Sequence, residues 1–367
     1  MKTKLAFTVS ALALTALAAP AVAQETIVTG GGTGMSISLS GQVNRGVLLT
    51  DDGQSTDSFF VDNDNSSTRF RILGQGDIGD TTIGFNIEVQ AESNSTANVN
   101  QLEPNTDGDD FFSQRKLELF VENPRFGRLT LGQGDTASNG TSEVDLSGTS
   151  VVGYSGVSDQ AGGILFTDST TGALTTVNIG SAFTNLDGLS RQDRIRYDTP
   201  SFGGVTLGVS AGTDIYDVSA NYSGTLGAFT VGGALAYAQN ANNDDITNGS
   251  VSVLHTPTGL SLTLAAGEMD RDDPTDTRDT SFGYVKLGYQ TNNMTSLGTS
   301  AFSVDYSNND DVLEAGDDST SYGLQFVQRL DAVGTDLYVG YRRYELDRPG
   351  ANFNDIDTLL VGARVRF

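Results

Sequence analysis

The chain contains no cysteine and no tryptophan. Without cysteine there is no disulfide framework, no thiolate metal site and no cysteine nucleophile. Histidine is nearly as scarce, His255 being the only one. A Ser-His-Asp or histidine-metal hydrolase would have to be built on it. It stands beside Pro257 at an expected tight turn, where an interfacial strand residue is the plainer reading and an enzyme is not expected. Basic residues are few, 21 Lys and Arg against 46 Asp and Glu, for a formal net charge of −25. Such a chain repels phosphates, which argues against nucleic acid as a partner. It draws cations toward its surface instead.

Long apolar runs are also missing beyond the first residues. Met1–Lys4 is basic, Leu5–Ala19 is mostly apolar, and Ala21-Val22-Ala23 has the small-x-small form of a cleavage site. Residues 1–23 therefore read as a secretory signal peptide. After it the longest apolar stretch is Leu226–Ala238, which Gly227, Gly232 and Gly233 interrupt. If the mature chain crosses a membrane, it does not do so with helices. Residues 24–34, with Gly30-Gly31-Gly32-Thr33-Gly34, read as a flexible leader, and 35–367 as one domain.

What the sequence does have is alternation. In 82–92, Ile83, Phe85, Ile87, Val89 and Ala91 share one face, while Asn86, Glu88 and Gln90 share the other. In 357–367, Leu359, Val361, Ala363, Val365 and Phe367 oppose Gly362, Arg364 and Arg366. Only a strand sorts residues with period two. Sixteen such candidates occur: 35–49, 67–77, 82–92, 112–122, 127–134, 191–198, 203–213 and 217–226, then 228–239, 248–257, 259–270, 280–291, 297–308, 319–330, 335–346 and 356–367. Most have about the ten residues that a tilted strand needs to cross a bilayer. Their connections alternate between short turns and long polar loops, apart from the short Asp214–Tyr216 where a long loop is due. This asymmetry describes an all-β, transmembrane, antiparallel barrel of about sixteen strands.

Two motif types are decoys. Gly74-Gln75-Gly76-Asp77-Ile78-Gly79 matches a dinucleotide fingerprint, but a strand pattern follows it where a helix is required. The clusters Asp62-Asn63-Asp64, Asp107–Asp110, Asp270–Asp273 and Asp310–Asp318 lack the EF-hand spacing. They read as solvated loop carboxylates. No cofactor is expected, loosely bound calcium at these extracellular loops being the one left open.

The polar parity of the strands carries charge. Arg69, Arg71, Lys116, Arg194 and Arg196 alternate with apolar residues. Charge facing hydrocarbon costs roughly 2–4 kcal/mol at the bilayer midplane, so these side chains should line the lumen. Sixteen strands leave a lumen wide enough for water, and a hydrated interior is expected. Opposite this basic wall the longest loop, 135–190, offers Asp135, Glu143, Asp145 and Asp159. Loops of this length are usually functional. Folded inward, it would narrow the channel and set a transverse field across it.

The chain resembles the general porins of Gram-negative bacteria over nearly all of 35–367. The residues that carry this are Ser38-Leu39-Ser40-Gly41-Gln42-Val43-Asn44-Arg45, Asn65-Ser66-Ser67-Thr68-Arg69-Phe70-Arg71, Arg194-Ile195-Arg196-Tyr197-Asp198-Thr199-Pro200-Ser201-Phe202-Gly203-Gly204, and the terminal Phe367. The resemblance implies a homotrimer of sixteen-stranded barrels in the outer membrane, conducting ions and small hydrophilic solutes, with lipid and lipopolysaccharide around it. It implies that the third long loop enters the pore, that loop 93–111 latches a neighbour, and that Phe367 signals to the barrel-assembly machinery. The acidic balance adds an expected preference for cations. A substrate-specific channel for sugar or phosphate is the alternative. Arg45 falls on the apolar parity of its strand, so either a bulge turns it inward or it sits at a subunit interface.

Overall fold

The computed structural model describes residues 25–27, 34–106, 111–276 and 278–367. The signal peptide lies outside them. The strands are β1 (Glu25–Ile27), β2 (Ser36–Asp51), β3 (Thr56–Asp62), β4 (Arg69–Ile78), β5 (Thr81–Ala91), β6 (Phe112–Asn123) and β7 (Gly127–Asp135). Next come β8 (Leu165–Thr167), β9 (Leu174–Asn178), β10 (Arg191–Asp198), β11 (Val205–Gly212), β12 (Ile215–Leu226), β13 (Phe229–Gln239) and β14 (Asp245–His255). The last are β15 (Leu260–Asp270), β16 (Thr280–Thr291), β17 (Ser300–Asp310), β18 (Asp318–Leu330), β19 (Thr335–Asp347) and β20 (Ile356–Arg366).

Sequential strands pair antiparallel, and β20 returns to pair with β2 through Gln42↔Arg366 to Asp51↔Asp357. The result is a closed antiparallel barrel of 16 strands. Both β3 and β4 pair with β2, so they make one crossing broken at residues 63–68. The seam is finished by Phe367, whose amide donates to Gly41 O (3.0 Å) and whose carbonyl accepts from Gly41 N (2.8 Å). Closure pairs the membrane-crossing strands on both sides, which is how a membrane-embedded sheet satisfies its backbone without disulfides.

All sixteen expected strands are present, with ends shifted by a few residues. Four further strands lie outside that expectation, of which β8 and β9 pair with each other inside the loop 135–190. Glu25–Ile27, inside the leader read as flexible, pairs with Ile37–Leu39 of β2. Strand β3 lies inside what reads as a long loop. Its Phe59 and Val61 are buried while Phe60 is 71% exposed, so both faces are apolar and no alternation shows. The turn at Thr213–Asp214 is as short as expected, with Asp214 in the left-handed region (φ 56°).

The barrel is polar on its buried face and apolar on its exposed one. Ser219, Asn221, Ser250, Ser252, Thr263, Ser303 and Gln325 are buried, whereas Leu207, Val209, Leu235, Leu262, Leu264 and Leu324 are exposed. An apolar band of this extent is at home in a bilayer and not in water. Gly74, from the dinucleotide-like motif, faces an aromatic across the ladder: a Cβ there would lie 2.2 Å from the Phe85 ring. The motif is wall architecture, and β5 follows it.

The expectation of a hydrated interior needs correction. Val151, Val152, Val157, Ile164, Phe166, Ile179 and Phe183 of segment 136–190 are buried together with Leu48, Phe59, Val61, Tyr344, Ile356 and Leu360 of the wall. This is a packed apolar core on the polar side of the sheet. The segment brings its own apolar residues, which the count of strands alone cannot reveal.

Candidate channel constriction

Strands β4, β5 and β6 place a basic cluster around one carboxylate. The register sets Arg71 opposite Glu88 and Glu88 opposite Lys116. Glu88 is 2% exposed and accepts from Arg71 Nε (2.8 Å) and Arg115 Nε (2.8 Å), with Arg69 Nε at 4.0 Å. Three guanidinium groups thus share one acid. The pairing of β5 with β6 slips at Glu88/Val89, so that Glu88 faces Lys116 while Val89 faces Gln114. Arg115 is the extra residue of this bulge, which lets two consecutive basic side chains reach the same polar face. Strict alternation hides Arg115 from a sequence reading for that reason. Arg191, at the start of β10, lies within electrostatic reach of Arg115, Asp135, Glu88 and Glu143. It makes no ion pair among the described residues.

The other expected wall cations are tied to the root of the segment. Lys116 pairs with Asp135. Arg194 donates to Glu118 Oε2 (2.7 Å), Gly132 O (2.8 Å) and Asp135 O (2.9 Å), and both charged groups are buried. Gly134 makes room for that pair, since a Cβ there would lie 2.3 Å from Glu118 Oε2. Arg196 clasps Asp198 (2.8 Å) and donates to Thr136 O (2.6 Å).

Segment 136–190 lies against the polar face of the barrel from β11 round to β20. Asp217 on β12 accepts from Ser138 N (2.8 Å), and Ser250 and Ser252 on β14 accept from Val144 N (3.0 Å) and Leu146 N (2.9 Å). Thr149 meets Ser303 on β17 (2.7 Å), Gln160 donates to Thr358 on β20 (2.9 Å), and Tyr344 on β19 donates to Val157 O (2.7 Å). Among the described residues, no hydrogen bond or ion pair joins the segment to β4, β5 or β6.

The four expected acids therefore differ in placement. Asp135 is held by Lys116, as above. Asp145 is 3% exposed and bound to the fully buried Lys286 on β16 (2.7 Å), so it faces the wall and not an open passage. Glu143 accepts from Asn185 (3.0 Å) and Asp159 accepts from the Tyr154 hydroxyl. They are joined by Asp187, which accepts from Gly140 N (2.6 Å) and from Ser142 N (3.1 Å) and Oγ (2.9 Å). Burial pushes Asp159 up to about 7, helped by the charge of Asp64. Burial pushes Asp187 up to about 6 against the hydrogen bonds it receives. Glu143 rises well above the usual carboxylate range through burial and the charges of Asp187 and Asp159.

Loop 93–111 is engaged by its own chain over its first half: Thr96 donates to Asp159 O (2.6 Å) and Gln101 to Leu165 O (2.9 Å). Its Leu102 is 69% exposed. Arg45 stays on the exposed face beside Val43 and Val47 and pairs with Asp62 (2.5 Å). Asn63 of the Asp62–Asp64 cluster is buried and donates to Val151 O (2.8 Å). Among the described residues, no three acidic or histidine side chains converge as a metal site, and Asp107–Asp110 lie outside them. His255 ends β14 opposite the Phe229 ring, its Nδ1 2.7 Å from Thr258 Oγ1 in the following turn.

An apolar outside, a polar inside and full closure define a transmembrane barrel. A family profile described as Gram-negative porin matches residues 8–349. The chain belongs to the Gram-negative porin family. No curated protein sequence matches it. Among solved structures it is similar to the anion-selective porin of Comamonas acidovorans (TM-score 0.62, 17% identity, covering 91% of this chain and 100% of that one). It is similar also to the trimer form of Vibrio cholerae OmpT (TM-score 0.57, 14% identity, 91% and 99%). A third is Salmonella typhi OmpF (TM-score 0.54, 14% identity, 94% and 100%). At these identities the likeness is one of fold.

Proposed function

We propose that the chain forms homotrimers whose barrels pass ions and small hydrophilic solutes by diffusion, each through a cleft between segment 136–190 and the wall of β4–β6. One observation carries this reading. Among the described residues the segment bonds to or packs against strands from β10 round to β3 but makes no hydrogen bond or ion pair with these three, on which Arg69, Arg71 and Arg115 crowd the single acid Glu88. A water-filled passage suits unneutralised guanidinium groups, whereas a packed contact does not. On this reading the segment is the constriction loop, and Glu143, Asp159 and Asp187 face Arg69, Arg71, Arg115 and Arg191 across the gap. Lipid and lipopolysaccharide surround the exposed apolar band, and the assembly machinery reads Phe367, so Phe367→Ala lowers the yield of folded barrel.

The proposed preference is for cations at neutral pH. The chain carries −25, and an acidic mouth concentrates cations ahead of the gap. The arginine cluster moderates that preference. A second reading, a channel specific for phosphate-like anions, is favoured by the crowding of Arg69, Arg71 and Arg115 on Glu88 alone. The reversal potential across a KCl gradient, measured in planar bilayers, separates the two. A potential of cation-preferring sign supports the first. An anion-preferring sign, with current blocked by millimolar phosphate, supports the second.

A further inference from the structure

The segment makes a single ion pair with the wall among the described residues, and it is sealed from water. Lys286 on β16 is fully buried. Its ammonium donates to Asp145 Oδ2 (2.7 Å) and to Gly153 O (2.6 Å), so it holds two points of the segment eight residues apart in sequence. Lys286 is itself the ladder partner of Asp305 on β17. Asp305 faces Gly323 on β18, and Gly323 faces Arg342 on β19. Arg342 donates to Asp305 Oδ2 (2.9 Å), and both side chains are fully buried. Gly323 is what lets them meet, because a Cβ there would lie 2.6 Å from both Arg342 Nη2 and Asp305 Oδ1. The row Asp145, Lys286, Asp305, Arg342 alternates in sign and sums to zero.

Such a row is a poor source of net stability, since apolar residues of the same volume hold a fold as well. It is a good source of position. Asp145 and Lys286, like Asp305 and Arg342, are satisfied only while they stand at hydrogen-bond distance, so displacement of the segment strands the buried Lys286. Serine and threonine contacts elsewhere along the segment can be exchanged for water at much smaller cost.

We propose that Lys286 is a positioning residue which, through Asp145 and Gly153, bolts residues 141–157 to the wall opposite the arginine cluster and so fixes the width of the cleft. Asp145 then acts as one half of the bolt and not as a filter acid. The proposal rests on the channel reading given above.

Opposite charge changes distinguish the bolt from a field effect. Lys286→Met and Asp145→Asn alter the net charge in opposite directions. The bolt predicts one shared outcome in planar bilayers: the steady single-channel level of the parent gives way to fluctuation among several levels in both variants. A field role predicts steady levels with reversal potentials moved in opposite directions, and that result, or channels unchanged in both, overturns the proposal. The chain has no cysteine, so Thr149→Cys with Ser303→Cys places a lone disulfide where two hydroxyl oxygens stand 2.7 Å apart. Made in the Lys286→Met background, it holds the segment even where that substitution alone prevents folding. It is expected to restore a steady level when oxidised and to lose it on reduction; a level indifferent to reduction counts against the bolt. Amide hydrogen exchange over 141–157 reads the same fixation without a current, and faster exchange is expected in both single variants. A parent protein that conducts nothing would overturn the channel reading, while equal exchange in parent and variants would overturn the bolt.

Discussion

The wall of β4–β6 and the wall from β11 to β20 are made by the same alternation of apolar and polar residues, yet they hold charge in different ways. On the second, the buried charges beneath the segment pair as Lys286 with Asp145 and Arg342 with Asp305, Asp217 is held by Ser138 and Ser210, and three guanidinium groups gather on Asp336 at the far end of β19. On the first, Arg69, Arg71 and Arg115 crowd a single Glu88. The difference follows from what covers each wall. Where a segment packs, an unmatched charge would be stranded in a low dielectric. Where water remains, surplus charge is solvated and can act on what passes.

Stability gives the largest contrast. Arg342→Met leaves Asp305 buried without its partner and is expected to cost about 3–5 kcal/mol, read as a lower temperature for loss of the SDS-resistant form. Arg71→Met leaves Glu88 with Arg115, and its cost should stay within about 1 kcal/mol. Equal losses would erase the distinction between the walls. Selectivity should respond the other way. Neutralising Arg69, Arg71 and Arg115 together is expected to move the reversal potential clearly toward cations, with Lys116→Ala adding a smaller shift in that direction.

Acidity gives an intermediate effect. Asp159 and Asp187 ionise near 7 and 6, above the usual carboxylate range of about 4. Lowering the pH from 8 to 5 protonates these two before most other acids and leaves the arginines charged. Cation preference should fall across that window, and a preference that stays flat until pH 4 would remove these acids from the path. The same upward shift means the folded chain binds protons more readily than the unfolded one. Their contribution to holding the segment is therefore largest below pH 4 and is lost as the pH rises through 6 to 7. The smallest contrast is within the segment: Glu143→Gln should shift the reversal potential slightly toward anions, and Asp145→Asn should leave its mean value alone.

Much of this barrel can be read from period two alone, because a sheet with one apolar face prints its register on the sequence. What cannot be read has physical causes. Strand β3 packs Phe59 and Val61 on the inner core and leaves Phe60 outside, so it has no polar face to mark it. Arg115 is hidden by a bulge, which shifts parity by one residue without any compositional signal. Asp145 looks like an open loop acid because its partner Lys286 lies 141 residues away, a pairing that only the closed barrel creates. Arg69, Arg71 and Lys116 stand out by parity alone, since each interrupts an apolar series on its strand. Which charges are free and which are matched depends on the packing of segment 136–190, and that packing leaves no periodic trace.

The most direct test of the central claim uses the absence of cysteine. Single substitutions Arg71→Cys on the uncovered wall and Ser250→Cys on the covered one can each be exposed to a bulky charged methanethiosulfonate while current is recorded in a planar bilayer. A stepwise, irreversible fall in conductance is expected for Arg71→Cys and no change for Ser250→Cys. A fall at Ser250→Cys with none at Arg71→Cys would place the passage on the other side of the segment and contradict that claim.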